Sequence, residues 1–443
     1  EACLKDRKNK KFNKGCNCYM VKGSRSDIYR GKDMEIGKEE SNVQNTQLSM
    51  QELYGKTQEP LHKKVLLTEN MQYSDRERIH AYWLSRVDGI GAVTAAKLYE
   101  SCGGFEGIYE RVLYNRKKLD PFICSFLGKA VKKGLEEAVL LFKQRVEEYD
   151  RLEEQGVRFI LCGEAAYPKR LMHIYDKPMW LFVRGTLPED AKPSAAVIGA
   201  RSCTPYGRQE AEYFGRILAE NGVQVVSGMA LGIDQAGHAG AMDGGGLTYA
   251  VMGCGIDTCY PPSGIRLHAR IREQGGILSE YGPGVPPTAS HFPIRNRIIS
   301  GLSDLVLVVE ARKRSGSLIT ADLALEQGKE GFALPGRRID PLSEGCNRLI
   351  AQGAGIVTKP EDVLDFFHIK CKNSCKKTIK SVNALAKSEK MVYSCLDSQP
   401  KHLEAVMKSC GVTAGECMTA LLNLEMQGLI LQPMNQYYVR KIV

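Results

Sequence analysis

The run His291-Phe292-Pro293-Ile294-Arg295-Asn296-Arg297 places one aromatic ring and two guanidinium groups within seven residues, with no carboxylate among them. Guanidinium forks match phosphate oxygens and stay charged at any physiological pH, while a phenyl face can stack on a base. Proline-rich residues precede the run, and the apolar Ile298-Ile299-Ser300-Gly301-Leu302 follows it, which predicts a loop leading into a helix. An ordinary surface loop with solvated arginines fits the same seven residues, so the neighbouring motifs decide.

Those motifs follow short apolar runs. Gly199-Ala200-Arg201-Ser202-Cys203-Thr204 closes the first, and Ser227-Gly228-Met229-Ala230-Leu231-Gly232-Ile233-Asp234 closes the second. Gly253 to Asp257, then Tyr260-Pro261, closes the third. Glu310 to Thr320 follows the fifth and contains Arg312, Lys313, Arg314, Ser315 and Ser317, with Ser317 expected to cap the next helix. Glycine, hydroxyl and arginine at successive strand ends form a rim suited to phosphate. The glycine spacing of a dinucleotide site is absent after the first strand.

The elements positioning these motifs are legible as apolar runs at 195–198, 223–226, 247–252, 277–278, 305–309 and 331–334. Helical segments such as Gln209 to Glu220 and Leu318 to Gln327 separate them. Buried runs alternating with helices predict an α/β domain with a parallel sheet covered on both faces. Ligands bind such sheets beyond the carboxyl ends of the strands. Before it, residues 71–150 read as a small helical domain. Its Val87-Asp88-Gly89-Ile90-Gly91 turn suits a helix-hairpin-helix or SAM-like arrangement, or equally a plain helix–helix corner. Residues 385–443 read as three helices and a hairpin, the outline of a winged helix. Between Lys408 and Arg440 there is no Lys or Arg, which points to protein contact or regulation rather than duplex binding.

Residues 1–70 are polar and without period, predicting a disordered extension with Met71 near the natural start. A basic linker is expected at 369–384, after an α/β domain over 151–368. The net charge of +10 leans toward polyanions. No apolar run spans a membrane and no signal core is visible, so a cytoplasmic protein is expected. The fifteen cysteines lack metal-site spacing and read as reduced thiols, and neither a metal nor a cofactor is expected.

In series, Gly199-Ala200-Arg201, Ser227 to Asp234, His291 to Arg297, Ser315 to Thr320, Pro335-Gly336 and Gly345 to Ile350 resemble the DNA-processing protein A (DprA/Smf) family. The resemblance implies an extended Rossmann-like domain that binds single-stranded DNA without sequence preference. It also implies a homodimer and a RecA-type recombinase loaded during natural transformation. By this resemblance the DNA-binding residues are Gly199, Ala200, Arg201, Thr204, Ser227, Gly228, Phe292, Arg295, Asn296, Arg297, Ser315 and Ser317. Dimer contacts fall at Asn347, Ile350 and Ile356. Relatives often carry a lysine after the Tyr-Pro pair; here Pro262 follows, and Arg266 is the nearest cation. No catalytic residue is expected. The alternative is a nucleotide phosphoribohydrolase-like enzyme on a related fold, with Glu280, Asp234 or Glu326 as its acid, although the diglycine loop of those enzymes is missing.

Overall fold

A computed structural model describes residues 67–114, 127–371, 385–397 and 399–441. The expected extension over 1–70 and linker over 369–384 therefore lie outside the described residues, apart from 67–70 and 369–371.

The described chain begins with helices α1 (Asp75–Ser85), α2 (Ala92–Cys102), α3 (Phe105–Tyr114), α4 (Lys129–Leu140) and α5 (Phe142–Glu154). Ser74 caps α1 by accepting from the Glu77 N–H, as short oxygen side chains do at helix starts. The turn over 87–91 joins α1 to α2, and Gly91 caps α2 with no side-chain acceptor. Trp83 is fully buried and donates through Nε1 to the Ala138 carbonyl at 2.9 Å. Tyr82 lies edge-on to Phe159 and Phe182, at 5.7 and 6.1 Å between ring centroids, which docks the helices on the α/β sheet.

That sheet comprises β1 (Arg158–Leu161), β2 (Trp180–Gly185), β3 (Ser194–Ile198), β4 (Gln224–Ser227), β5 (Thr248–Met252), β6 (Gly276–Ser279), β7 (Leu305–Val308), β8 (Glu330–Ala333) and β9 (Gly355–Ile356). Their order is β1-β2-β6-β5-β4-β3-β7-β8-β9. From β6 to β9 neighbours are parallel, whereas β1 and β2 extend the sheet antiparallel beside β6. All six apolar runs expected as parallel strands are strands, and β1, β2 and β9 add to them. The connecting helices are α6 (Lys169–Met172), α7 (Pro205–Glu220), α8 (Ile233–Asp243), α9 (Ile265–Gln274), α10 (His291–Gly301), α11 (Gly316–Glu326), α12 (Glu344–Ala351) and α13 (Pro360–Phe366).

One core joins Ala195, Val197, Val225 and Leu305 to Phe214 and Leu218 of α7, Ile233 of α8 and Val363 of α13. Strand residues alternate faces, so Ala196, Val226 and Val306 turn to the other side, where α10 and α11 pack on β5, β7 and β8. The chain steps from β3 outward to β6, then returns to place β7 on the opposite flank of β3. The parallel strands end on one edge at this switch point, where open α/β sheets bind ligands.

The last region contains α14 (Lys387–Cys395), β10 (Lys401–His402), α15 (Leu403–Cys410), α16 (Ala414–Met426), β11 (Ile430–Met434) and β12 (Tyr437–Arg440). Its strands pair in the order β10-β12-β11. A separate core of Val392, Val406, Leu421, Leu424 and Ile430 makes this a winged helix. Thr413 and Glu416 form a reciprocal cap at the start of α16, the box that fixes a helix N-terminus. The outer face of α16 exposes Met418, Leu422 and Met426. The helix expected to lack cations presents an apolar face instead. No helix among the described residues is long and apolar enough to cross a membrane.

Candidate nucleic-acid interface

The His291–Arg297 run is not a loop: it forms the first two turns of α10. Pro293 is tolerated there because a first-turn N–H has no acceptor within the helix. Helical spacing places Phe292 and Arg295, three residues apart, on a shared face and turns Arg297 elsewhere.

Phe292 is half-buried and stacks on Tyr260, with centroids 5.4 Å apart and planes inclined by 30°. The Arg201 guanidinium carbon lies 5.5 Å from the Phe292 centroid and that of Arg295 lies 6.0 Å away. Arg201 is exposed and forms no ion pair among the described residues. Tyr260 keeps 38% of its surface accessible. An aromatic pair with a free guanidinium beside it, on the ligand-binding edge of the sheet, can stack a base and hold its phosphate. In the sequence Tyr260 stands only as part of a strand-end turn. Its partnership with Phe292 depends on the sheet bringing the end of β5 to the start of α10.

Arg295 and Arg297 correct an expectation. The sequence suggests phosphate forks, yet the two side chains are only 4% and 3% exposed. Arg295 donates through Nη1 to the Gly228 carbonyl at 2.9 Å and also to the Val251 carbonyl, bracing the ends of β4 and β5. A Cβ on Gly228 would stand 2.6 Å from its Nη2, so glycine is what lets the loop close over the guanidinium. Arg297 makes a two-pronged contact with Glu280, Nη1 to Oε2 at 2.7 Å and Nη2 to Oε1 at 2.6 Å. Its Nε lies 3.1 Å from Asp176 Oδ2. The physical reason is desolvation: a buried guanidinium needs paired acceptors, and distant strand ends supply them.

Asp234, in the first turn of α8, is the acid facing Arg295. It accepts the Gly228 N–H at 3.2 Å and the Ala230 N–H at 3.3 Å, tying the β4 loop to the helix. Burial raises its pKa to about 6, against the lowering pull of Arg295 and of backbone N–H groups. Burial also brings Arg295 down to about 10, so the guanidinium is charged at neutral pH. The neighbouring His238 falls to about 3 by burial and stays neutral.

The remaining residues fall into place around this frame. A Cβ on Gly199 would stand 2.8 Å from the Glu310 carbonyl oxygen, and Ala200 donates its N–H to that oxygen at 2.8 Å. Thr204 caps α7 by accepting from Gly207 N, and its hydroxyl donates to Glu310 Oε1 at 2.5 Å. The Ser227 hydroxyl donates to the Val197 carbonyl, so it is internal. Ser315, not Ser317, caps α11, and the two hydroxyls sit 2.7 Å apart. Asn296 donates to the Gly316 carbonyl at 3.4 Å, linking α10 to that cap. Asn347 exchanges two hydrogen bonds with the Gly336 backbone, while Ile350 is half-buried and Ile356 is 56% exposed. The described cysteines form no disulfide, and no described cluster of His, Cys, Asp and Glu could hold a metal ion.

Known proteins resemble this chain in sequence and fold. A family model described as DNA recombination-mediator protein A matches residues 158–368, and one described as the DprA winged helix domain matches 380–433. Over 201 residues the chain is 48% identical to the DNA processing protein DprA of Streptococcus pneumoniae, covering 45% of this chain and 71% of that protein. It is 40% identical over 213 residues to DprA of Bacillus subtilis, covering 48% and 72%. With Protein Smf of Escherichia coli the identity is 47% over 215 residues, covering 48% of this chain and 58% of Smf. The X-ray structure of S. pneumoniae DprA matches at a TM-score of 0.52 and 35% identity, covering 67% of this chain and 98% of that one. Fold, ordered motifs and these relatives lead to one conclusion: the chain belongs to the DprA/Smf family of DNA-processing proteins.

Proposed function

We propose that this protein binds single-stranded DNA without reading its sequence, at the rim formed by Tyr260, Phe292 and Arg201. One observation carries the reading: a stacked aromatic pair stands beside an unpaired guanidinium on the strand-end edge of the sheet. Stacking requires unpaired bases, every base offers a π face, and the arginine meets phosphate. Gly199, Ala200, Thr204, Ser227, Gly228, Asn296, Ser315 and Ser317 shape that rim, and Arg295 and Arg297 hold α10 in register beneath it. The work is done in the cytoplasm by a homodimer joined near Asn347, Ile350 and Ile356, which passes the strand to a RecA-type recombinase during natural transformation. The exposed side chain of Ile356 supports that contact surface.

A binding role without a chemical step is supported by the employment of two of the three candidate acids, the third, Glu326, being exposed on α11. Glu280 is held by Arg297, and Asp234 by backbone N–H groups and Arg295. Neither carboxylate stands free beside a cavity as a general acid or base must.

The test is a salt series with matched single-stranded and duplex oligonucleotides. Single strands are expected to bind more tightly at every salt concentration, with log K falling by about 0.7 per phosphate contact on the log-salt axis. Equal affinity for duplex and single strand contradicts the reading.

A further inference from the structure

Past β7 the same edge opens into a cleft of about 470 Å³ between α11 and α12. Lys313, Arg314 and Arg348 line it together with the apolar Leu318, Ile319 and Leu349. Lys313 sits 3.4 Å from the Glu344 carboxylate, but Arg314 and Arg348 are exposed and form no ion pair among the described residues. The back wall is fixed. Gly345 donates its N–H to the Ala311 carbonyl at 2.8 Å, and a Cβ there would stand 2.7 Å from that oxygen.

We propose that this cleft is a second nucleotide subsite for the strand bound at Phe292, an inference that rests on the strand-binding reading above. Two uncommitted guanidinium forks match phosphate. An inorganic anion has no use for the apolar floor, and an apolar peptide has none for the arginines; a nucleotide uses both. Its base lies against Leu318 and Ile319, and Asp322, three residues beyond Ile319 on α11, can accept from a base amino group. The two subsites are continuous. Asn296 follows Phe292 by four residues on α10, about 6 Å of helix at 1.5 Å per residue, and its hydrogen bond reaches Gly316 at the mouth of the cleft.

The substitution Ile319→Trp places a reporter on the floor, at a side chain 42% exposed, above the constant background of the buried Trp83 and Trp180. Oligothymidylate should quench the new emission saturably, at the concentrations where anisotropy shows binding. Thymidine monophosphate should need far higher concentrations. Adding Arg314→Ala and Arg348→Ala should weaken strand binding about tenfold and reduce the salt slope by about 1.4, for two phosphate contacts. Binding by anisotropy with unchanged emission overturns the cleft and leaves the Phe292 site standing. Quenching by the monophosphate at the strand's own concentrations overturns the strand assignment in favour of a free-nucleotide site. No binding by anisotropy overturns this inference and the reading beneath it together.

Discussion

Arg297→Met is expected to cost about 3–5 kcal/mol of folding stability, the range for stripping one partner from a buried ion pair. Removing the guanidinium leaves Glu280 facing the α10 side of the sheet edge without either of its two short contacts. It also frees the middle of α10 from the loop at Asp176. Because the penalty comes mostly from the stranded charge, the double variant Arg297→Met with Glu280→Met should recover much of the loss. Melting of the two single variants and the double variant, by calorimetry on the full chain, gives the coupling. A single variant within about 0.5 kcal/mol of wild type, as for ordinary surface changes, contradicts the internal role of this arginine.

Arg295→Met is expected to cost a similar amount, and its cost should depend on pH. Asp234 has a folded pKa of about 6, above the ordinary aspartate value of about 3.9. The folded state therefore prefers the protonated acid. The stability this preference contributes is complete below about pH 4 and is lost as pH rises through about 6. Arg295 pulls that pKa down; without it the value climbs further and the window extends toward neutrality. The nearby Cys254, at about 11, does not titrate in this range, whereas His238, held at about 3 against about 6.5 unfolded, costs stability on acidification in wild type and variant alike, so the two proteins are compared by difference. The melting-temperature deficit of Arg295→Met relative to wild type should thus shrink on acidification. Adding Asp234→Asn should flatten the curve and restore stability at neutral pH. A pH profile parallel to wild type contradicts the coupling of these two groups.

The parallel sheet was legible because strands buried on both faces must read as continuous apolar runs, as Leu305 to Val309 does. The winged helix was legible from the periodicity of 403–410 and 413–426. The antiparallel pair β1 and β2 escaped because α6, a single short turn between them, shows no helical period to frame Trp180 to Val183 as a strand. The roles of Arg295 and Arg297 were not legible for a different reason. The absence of a nearby acid in sequence suggested free forks, yet the partners come from strand ends 17 and 67 residues away. Whether a guanidinium faces solvent or a carbonyl is decided by which strands lie side by side, and local sequence does not encode that. The pairing of Tyr260 with Phe292 was hidden in the same way. The exposure of Arg201 was legible, because a strand-end glycine with an arginine two residues on needs no tertiary partner to stay exposed.

Binding of fluorescent oligothymidylate to wild type, Arg201→Ala and Phe292→Ala across a salt series tests whether the Tyr260–Phe292–Arg201 rim holds the strand. Phe292→Ala should lose roughly 1–3 kcal/mol per unstacked base and keep the wild-type salt slope. Arg201→Ala should reduce the slope by about 0.7, one phosphate contact on a single strand, with the same loss for every base composition. Both variants binding with wild-type affinity and slope would contradict the account and remove the Tyr260–Phe292–Arg201 rim from the site.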